Sequence, residues 1–177
     1  MIDMEKKFEL TDKFVFNTFG IKLFQIKCTK SFKYAKEGDL GGYVEKDENL
    51  DQESDAWVYG DAQVFGNARV YGDARVYGDA RVYGNARVYG DAWVYGNADI
   101  ENDNNHCGFD CFGSANRHTH AYLTKENKVE ITCGCFRGSI EEFEKRVEET
   151  HSGTIYEKQY KAIINVIKIK FGLTDLI

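Results

Sequence analysis

The residues with reactive chemistry to offer are the histidines and cysteines, and they are unevenly placed. All four histidines, His106, His118, His120 and His151, lie beyond residue 105. A general base working near neutral pH is most often a histidine beside the group it deprotonates, so residues 1–105 hold no such base. Cys107, Cys111, Cys133 and Cys135 lie in the same C-terminal stretch. Structural zinc favours paired thiolates with two to four residues between them. Cys107 and Cys111 fit that spacing. Cys133 and Cys135 are too tight for an ordinary knuckle, although on a strand both would point to one face and could join a distant pair. These four are the only candidates for metal, and weak ones, because small buried hydrophobes at the end of a hairpin explain them as well. No cofactor is expected. A nucleophilic pair such as Cys135 with His151 would need a depressed thiol pKa, and nothing in the sequence around Cys135 indicates one.

The elements that would position these residues are short. Residues 103–118, DNNHCGFDCFGSANRH, are rich in Asn, Gly and Ser and read as a connecting loop. His120 to Thr124 and Val129 to Cys133 flank a polar Lys125–Lys128 turn, which is a hairpin signal. Ser139 with Glu142 three residues later forms a capping box that opens a helix running to about Thr150. Gly153 breaks it. Ile155, Tyr156, Tyr160, Ile163, Ile164, Ile167 and Phe171 then recur at helical steps and predict an amphipathic helix. Residues 103–177 are thus expected to form an α+β domain, a hairpin plus two helices, able to cap what precedes it.

What precedes it is strictly periodic. Residues 55–102 are eight consecutive hexads, DAWVYG, DAQVFG, NARVYG, DARVYG, DARVYG, NARVYG, DAWVYG and NADIEN. A fixed short period marks a solenoid, one strand and one corner per repeat. Positions two apart share a face of a strand, so each Ala-x-Val points both side chains inward. Gly supplies the positive φ that a corner needs, and Asp or Asn after it suits a turn. Gly42-x-Val44 and Glu48-x-Leu50 repeat the spacing before the array, and the gap of eight from Leu50 to Val58 implies a two-residue insertion. Residues 38–102 therefore read as ten rungs. In residues 1–37, a capping segment, Ile21 to Cys28 alternates as a strand that would close the first coil, since an open solenoid end is an unpaired edge. Residues 1–21 offer only scattered apolar anchors.

The hexads resemble the hexapeptide repeat of left-handed parallel β-helices. That resemblance implies triangular coils of 18 residues, about three in total, stacked about 4.8 Å apart. Right-handed and flatter two-sided solenoids are the competing architectures. Side chains then stack at intervals of 18 on three outer faces. The first carries Trp57, Arg75 and Trp93 beside Tyr59, Tyr77 and Tyr95. The second carries Gln63, Arg81 and Asp99 with Phe65, Tyr83 and Glu101. The third carries Arg69 and Arg87 with Tyr71 and Tyr89. Arg over Tyr or Trp is favourable, and Trp, Tyr and Arg are enriched in binding hot spots. The face bearing Trp57, Tyr59, Arg75, Tyr77, Trp93 and Tyr95 is the expected partner-binding patch. It could serve self-association as a dimer or trimer, a partner protein, or the stacking of bases or sugars.

Hexapeptide helices are best known in acyltransferases, which use a histidine near a subunit boundary. Only His106 comes close to the array, and the rungs lack the long inserted loop such enzymes use. Over its whole length the chain is similar to uncharacterised proteins encoded by bacteriophages and prophages, through GDLGGYVEKDENL, the hexads, and ITCGCFRGSIEEFEKRVEETH, in that order. That resemblance implies an accessory phage protein acting in the host cytoplasm, not a particular activity. The net charge of −6 divides as −2, −3 and −1 over residues 1–54, 55–102 and 103–177. The hexads hold four arginines in an acidic setting, so duplex nucleic acid is not an expected partner. No stretch is apolar enough to span a membrane, the N-terminus lacks a signal-peptide core, and five cysteines in a cytosolic protein are expected to be reduced. The expected function is a non-catalytic, oligomeric counter-defence factor that binds and inhibits a host immunity protein. A nucleotide-sequestering protein, a hexapeptide acyltransferase and a virion structural protein are the alternatives.

Overall fold

The computed structural model describes residues 5–173. The chain divides into two units, Met1–Asn102 and Asp103–Ile177.

The first unit is a β-solenoid of about three turns behind an N-terminal hairpin. Its strands are β1 (Phe8–Phe16), β2 (Lys22–Cys28), β3 (Leu40–Val44), β4 (Trp57–Val58), β5 (Gln63–Val64), β6 (Arg69–Val70), β7 (Arg75–Val76), β8 (Arg81–Val82), β9 (Arg87–Val88), β10 (Trp93–Val94) and β11 (Asp99–Ile100). From β4 onward, parallel partners lie 18 residues apart. Val58 pairs with Val76 and Val76 with Val94, Val64 with Val82 and Val82 with Ile100, and Val70 with Val88. Three stacks result, one per side of the coil. Every Val and Ala of the array is buried in the interior, because Ala-x-Val turns its two side chains to one face. The small Ala beside each Val keeps the coil narrow. At the corners glycine is required by space as well as by φ. Gly72 has φ 71°, and a Cβ there would lie 2.9 Å from the Gly90 backbone nitrogen one coil above.

Of the two imperfect rungs the first is strand β3, whereas the second is reduced to an isolated bridge at Leu50 after a 3-10 turn, Asp47–Asn49, that leaves Glu48 exposed and buries Asn49. Val44 pairs with Val64 and Leu50 bridges to Val70, each 20 residues apart, which accommodates the two-residue insertion. The first edge is closed by strands and by side chains. β2 pairs antiparallel with β1 and β3, while the side-chain amide of Gln52 accepts from Lys7 N and Phe8 N and donates to Phe8 O. Asn49 Nδ2 donates to the carbonyls of Gly66 and Ala68, and Lys7 Nζ to those of Ser54 and Ala56. Each bond occupies a backbone group that an open ladder end would leave unmet. The scattered anchors of residues 8–16 prove to be a nine-residue strand, with a register irregularity between Leu10 and Phe14 that breaks its alternation.

The second unit is a four-stranded antiparallel meander followed by two helices. It comprises β12 (His106–Phe112), β13 (Arg117–Leu123), β14 (Val129–Cys133), β15 (Phe136–Ser139), α1 (Ile140–His151) and α2 (Ile155–Lys170). The stretch 103–118, expected as a loop, holds β12 and the start of β13. A register irregularity between Phe109 and Phe112, with Cys111 at φ 62°, hides the strand from a period-two reading. Cys135 is not on a strand with Cys133 either. Cys133 pairs with Phe136, so Gly134 and Cys135 form the two-residue turn between them. The helices start as expected. Ser139 Oγ accepts from Glu142 N, and the Glu142 carboxylate accepts from Ser139 N. Gly153 sits at φ 75° between α1 and α2. One sheet face and both helices bury Ala121, Ile131, Phe143, Val147, Ile163, Ile164 and Ile167. Among the described residues, no helix is long and apolar enough to cross a membrane.

Candidate functional site

The outer rows of the solenoid stack as the 18-residue interval requires. Tyr59 and Tyr77 are 4.2 Å apart centroid to centroid, and Tyr77 and Tyr95 4.6 Å, stacked nearly parallel in each case. Phe65 stacks on Tyr83 and Tyr71 on Tyr89. The Arg75 guanidinium lies 3.7 Å from the Trp93 ring centre and 4.6 Å from that of Tyr34. Arg81 Nη2 and Asp99 Oδ1 form a half-buried ion pair at 2.9 Å.

The three faces have different fates, and the N-terminal segment decides them. The segment after β2 lies over the first face. Trp57 points outward from its rung yet is only 1% exposed, enclosed by the edges of the Phe8 and Phe32 rings. Tyr59 donates its hydroxyl to Tyr34 O, and Lys33 pairs with Asp73 at 3.1 Å. Burial of Tyr59 and its contact with Tyr77 raise its pKa above the ordinary phenol value. The expected patch is therefore not a continuous open platform: Trp57 is a core residue, Tyr59 and Arg75 are half-covered, and Tyr77, Trp93 and Tyr95 are half-buried. On the second face the β1–β2 turn brings Phe19 against Phe65 and Tyr83, and Arg81 donates to Thr18.

The third face keeps its side chains outward. Arg69, Arg87 and Tyr89 are exposed, Tyr89 to 55%. A cleft of about 350 Å³ runs along it, lined by Glu48, Asp51, Arg69, Val70, Tyr71 and Arg87. Its far wall is the 3-10 turn Asp47–Asn49 and the insertion after Leu50. Asp51 was not singled out from sequence, and Glu48 only as a residue of an imperfect rung. The two-residue excess between Leu50 and Val58 is the signal that marks a wall there. The cleft can hold a flat or cationic group between carboxylates and guanidinia, with Tyr71 as a stacking surface.

The reactive residues of the second unit do not form the constellations considered from sequence. Cys133 is buried in the core and hydrogen-bonds with Thr119, whereas Cys111 and Cys135 are exposed. Cys107 is half-buried against the same core, and burial pushes its thiol up to about 11. Among the described residues, no three His, Cys, Asp or Glu side chains are placed to hold a metal ion. His106 is a strand residue rather than a loop residue, buried, with Nδ1 3.0 Å from His120 Nε2. His118 Nδ1 lies 2.5 Å from Asp110 Oδ1, and Glu130 accepts from Tyr122 and pairs with Arg137. His151 stacks on Tyr160 and takes no part in a pair with a thiol. The Tyr160 phenol is pushed up to about 12 by burial and by the neighbouring Cys133.

This geometry defines a β-solenoid repeat protein. A family model for the YdcK beta solenoid repeat matches residues 62–78, 68–81, 74–86 and 80–96, all inside the hexad array. No curated protein matches the chain.

Proposed function

We propose that the protein is a non-catalytic binding protein whose solenoid presents its third face to a partner protein. In concrete form it is a phage-encoded factor, acting in the host cytoplasm, that binds and inhibits a component of bacterial immunity. The observation that carries this reading is the column of Arg69 and Arg87 beside the Tyr71–Tyr89 stack, held outward on a rigid ladder and bordered by Glu48 and Asp51. Arg and Tyr supply large contact area and directional bonds at little entropic cost, which suits a hot spot. The phage origin rests on the sequence resemblance alone.

The test is plating of a defence-sensitive phage on hosts that express the protein together with one immunity system at a time. Protection from a given system, lost in Arg69→Glu/Tyr89→Ala and kept in Trp93→Ala, supports the third face. Loss in Trp93→Ala with the double variant unaffected moves the site to the first face. No protection from any system removes the counter-defence reading. The dimensions of the cleft also favour a small ligand with one planar group, such as a nucleotide signal. Its two carboxylates weigh against a polyphosphate, and calorimetry that detects no heat with nucleotide signals eliminates that second reading.

A further inference from the structure

The three outer stacks differ in what stands beside their arginines. Arg75 lies in register between Trp57 and Trp93, and Arg81 between Gln63 and Asp99. Each meets a partner from its own stack, the Trp93 ring at 3.7 Å and the Asp99 carboxylate at 2.9 Å. In the third stack Arg69 stands in register with Arg87. On its other side the ladder ends at the Leu50 bridge, where Asn49 turns its amide to the carbonyls of Gly66 and Ala68 and offers no counter-charge. Two guanidinia one strand spacing apart, about 4.8 Å, repel each other.

The acids of the same cleft stand on its far wall. Glu48 is exposed on the 3-10 turn, and Asp51 is fixed by Ser54 N, which donates to its Oδ2 at 3.0 Å. Among the described residues, the Arg69 and Glu48 side chains form neither an ion pair nor a hydrogen bond. Arg69 therefore does not close the gap to either carboxylate, and the cleft keeps a positive and a negative wall, with Tyr71 and Val70 also lining it. A lone anion entering it would meet Glu48 and Asp51. A lone cation would meet Arg69 and Arg87. A group carrying both charges meets neither conflict, because two guanidinia and two carboxylates already sum to zero.

We propose that the partner protein enters this cleft with an acidic and a basic side chain side by side. The carboxylate sits on Arg69 and Arg87, and the ammonium or guanidinium on Glu48 and Asp51. This rests on the third-face reading and gives its partner a chemistry. Planar guanidinia hold a carboxylate by paired, charge-assisted hydrogen bonds. The apolar stem of the basic side chain lies on the Tyr71 ring, as such stems do on apolar surface. A volume of about 350 Å³ is at the small end of binding sites and suits two side chains.

The probe is the blocked tetrapeptide acetyl-Gly-Glu-Lys-Gly-amide, followed through the Arg69 Nε–Hε and Tyr71 ring signals by nuclear magnetic resonance. Both signals are expected to shift to saturation at millimolar peptide. The peptides with Gln in place of Lys, or of Glu, each lose one exposed ion pair and are expected to bind about three- to five-fold more weakly. Glu48→Gln is expected to remove most of the preference for Lys over Gln, with native tryptophan fluorescence unchanged. Equal binding of the three peptides, no shift with any of them, or a preference untouched by Glu48→Gln overturns the dipolar match. Free glycine that binds as tightly as the tetrapeptide overturns a protein as the source of the two charges. If the peptides fail while Arg69→Glu/Tyr89→Ala still loses protection in the plating assay, only the dipolar match falls and the third face stands. Peptide binding beside protection indifferent to that double variant overturns the partner reading instead.

Discussion

The two units solve the same problem of burying apolar surface by different means. In the solenoid, the neighbour of an interior side chain is the equivalent residue one coil away: Val76 touches the rungs of Val58 and Val94. In the second unit, the core gathers Ala121, Ile131, Phe143 and Ile164 from four elements with no common period. A repeat spreads its stability over nearest-neighbour contacts, whereas a single core fails as a block. The repeat also offers much the same surface three times. It is the aperiodic segment before it that leaves one face open, so the exposed surface depends on Phe32, Tyr34 and Phe19 as much as on the hexads.

The sharpest way to separate the two architectures is to break one and watch the other. Val76 sits in the middle of its stack, so Val76→Asp buries an unpaired carboxylate between two coils. Such a charge costs several kcal/mol, enough against a domain stability of about 5–15 kcal/mol to prevent folding of the first unit. Both tryptophans lie in this unit and both α-helices in the other. The expected result is loss of native tryptophan fluorescence with the helical circular-dichroism signal retained. If both signals vanish together, the units are one cooperative block and the contrast fails.

A smaller effect refines the contrast at the level of single glycines. Gly72 and Gly153 have nearly the same φ, 71° and 75°. A Cβ on Gly153 meets nothing within 4 Å, whereas one on Gly72 meets the Gly90 nitrogen at 2.9 Å. Gly153→Ala is expected to cost only the left-handed strain, about 1 kcal/mol. Gly72→Ala adds a clash that the ladder cannot relieve locally, for about 3 kcal/mol in all. Equal shifts in urea midpoint, each read with its unit's own probe, would mean that the corner is softer than its spacing indicates.

How much was legible from the residues follows the same division. The strict recurrence of Val58, Val64 and Val70 disclosed the rungs, their register and the outward stacks, because in a solenoid the neighbours are set by the period. The fate of Trp57 was not legible. Its cover comes from Phe8 and Phe32, and no local pattern says where a distant segment will lie. β12 was not legible either, because Gly108, Asp110 and the irregularity at Cys111 interrupt its alternation. In α2, the spacing that disclosed the buried Tyr160, Ile163, Ile164 and Ile167 also took in Ile155, which is 61% exposed at the start of the helix.

The smallest expected effect lies in alkaline solution and has opposite signs in the two units. Lys7 is buried at the first edge of the solenoid, its Nζ donating to Ser54 O and Ala56 O, and burial lowers its pKa from 10.5 to about 8. A lysine easier to deprotonate in the fold than in the unfolded chain costs stability while it is charged. Raising the pH through 8 removes that cost, because the unfolded state then binds more protons than the native one. The first unit should gain about 1 kcal/mol between pH 7.5 and 9. Above that range Cys28 and Tyr59, both raised by burial, work against it. In the second unit, Cys107 is raised to about 11, so its unfolded thiol ionises first and stability falls from pH 9 upward. Urea midpoints read by tryptophan fluorescence and by helical ellipticity should therefore diverge across pH 8 to 10. Lys7→Met is expected to flatten the first curve and leave the second unchanged; a slope that survives the substitution would assign the alkaline gain to another group.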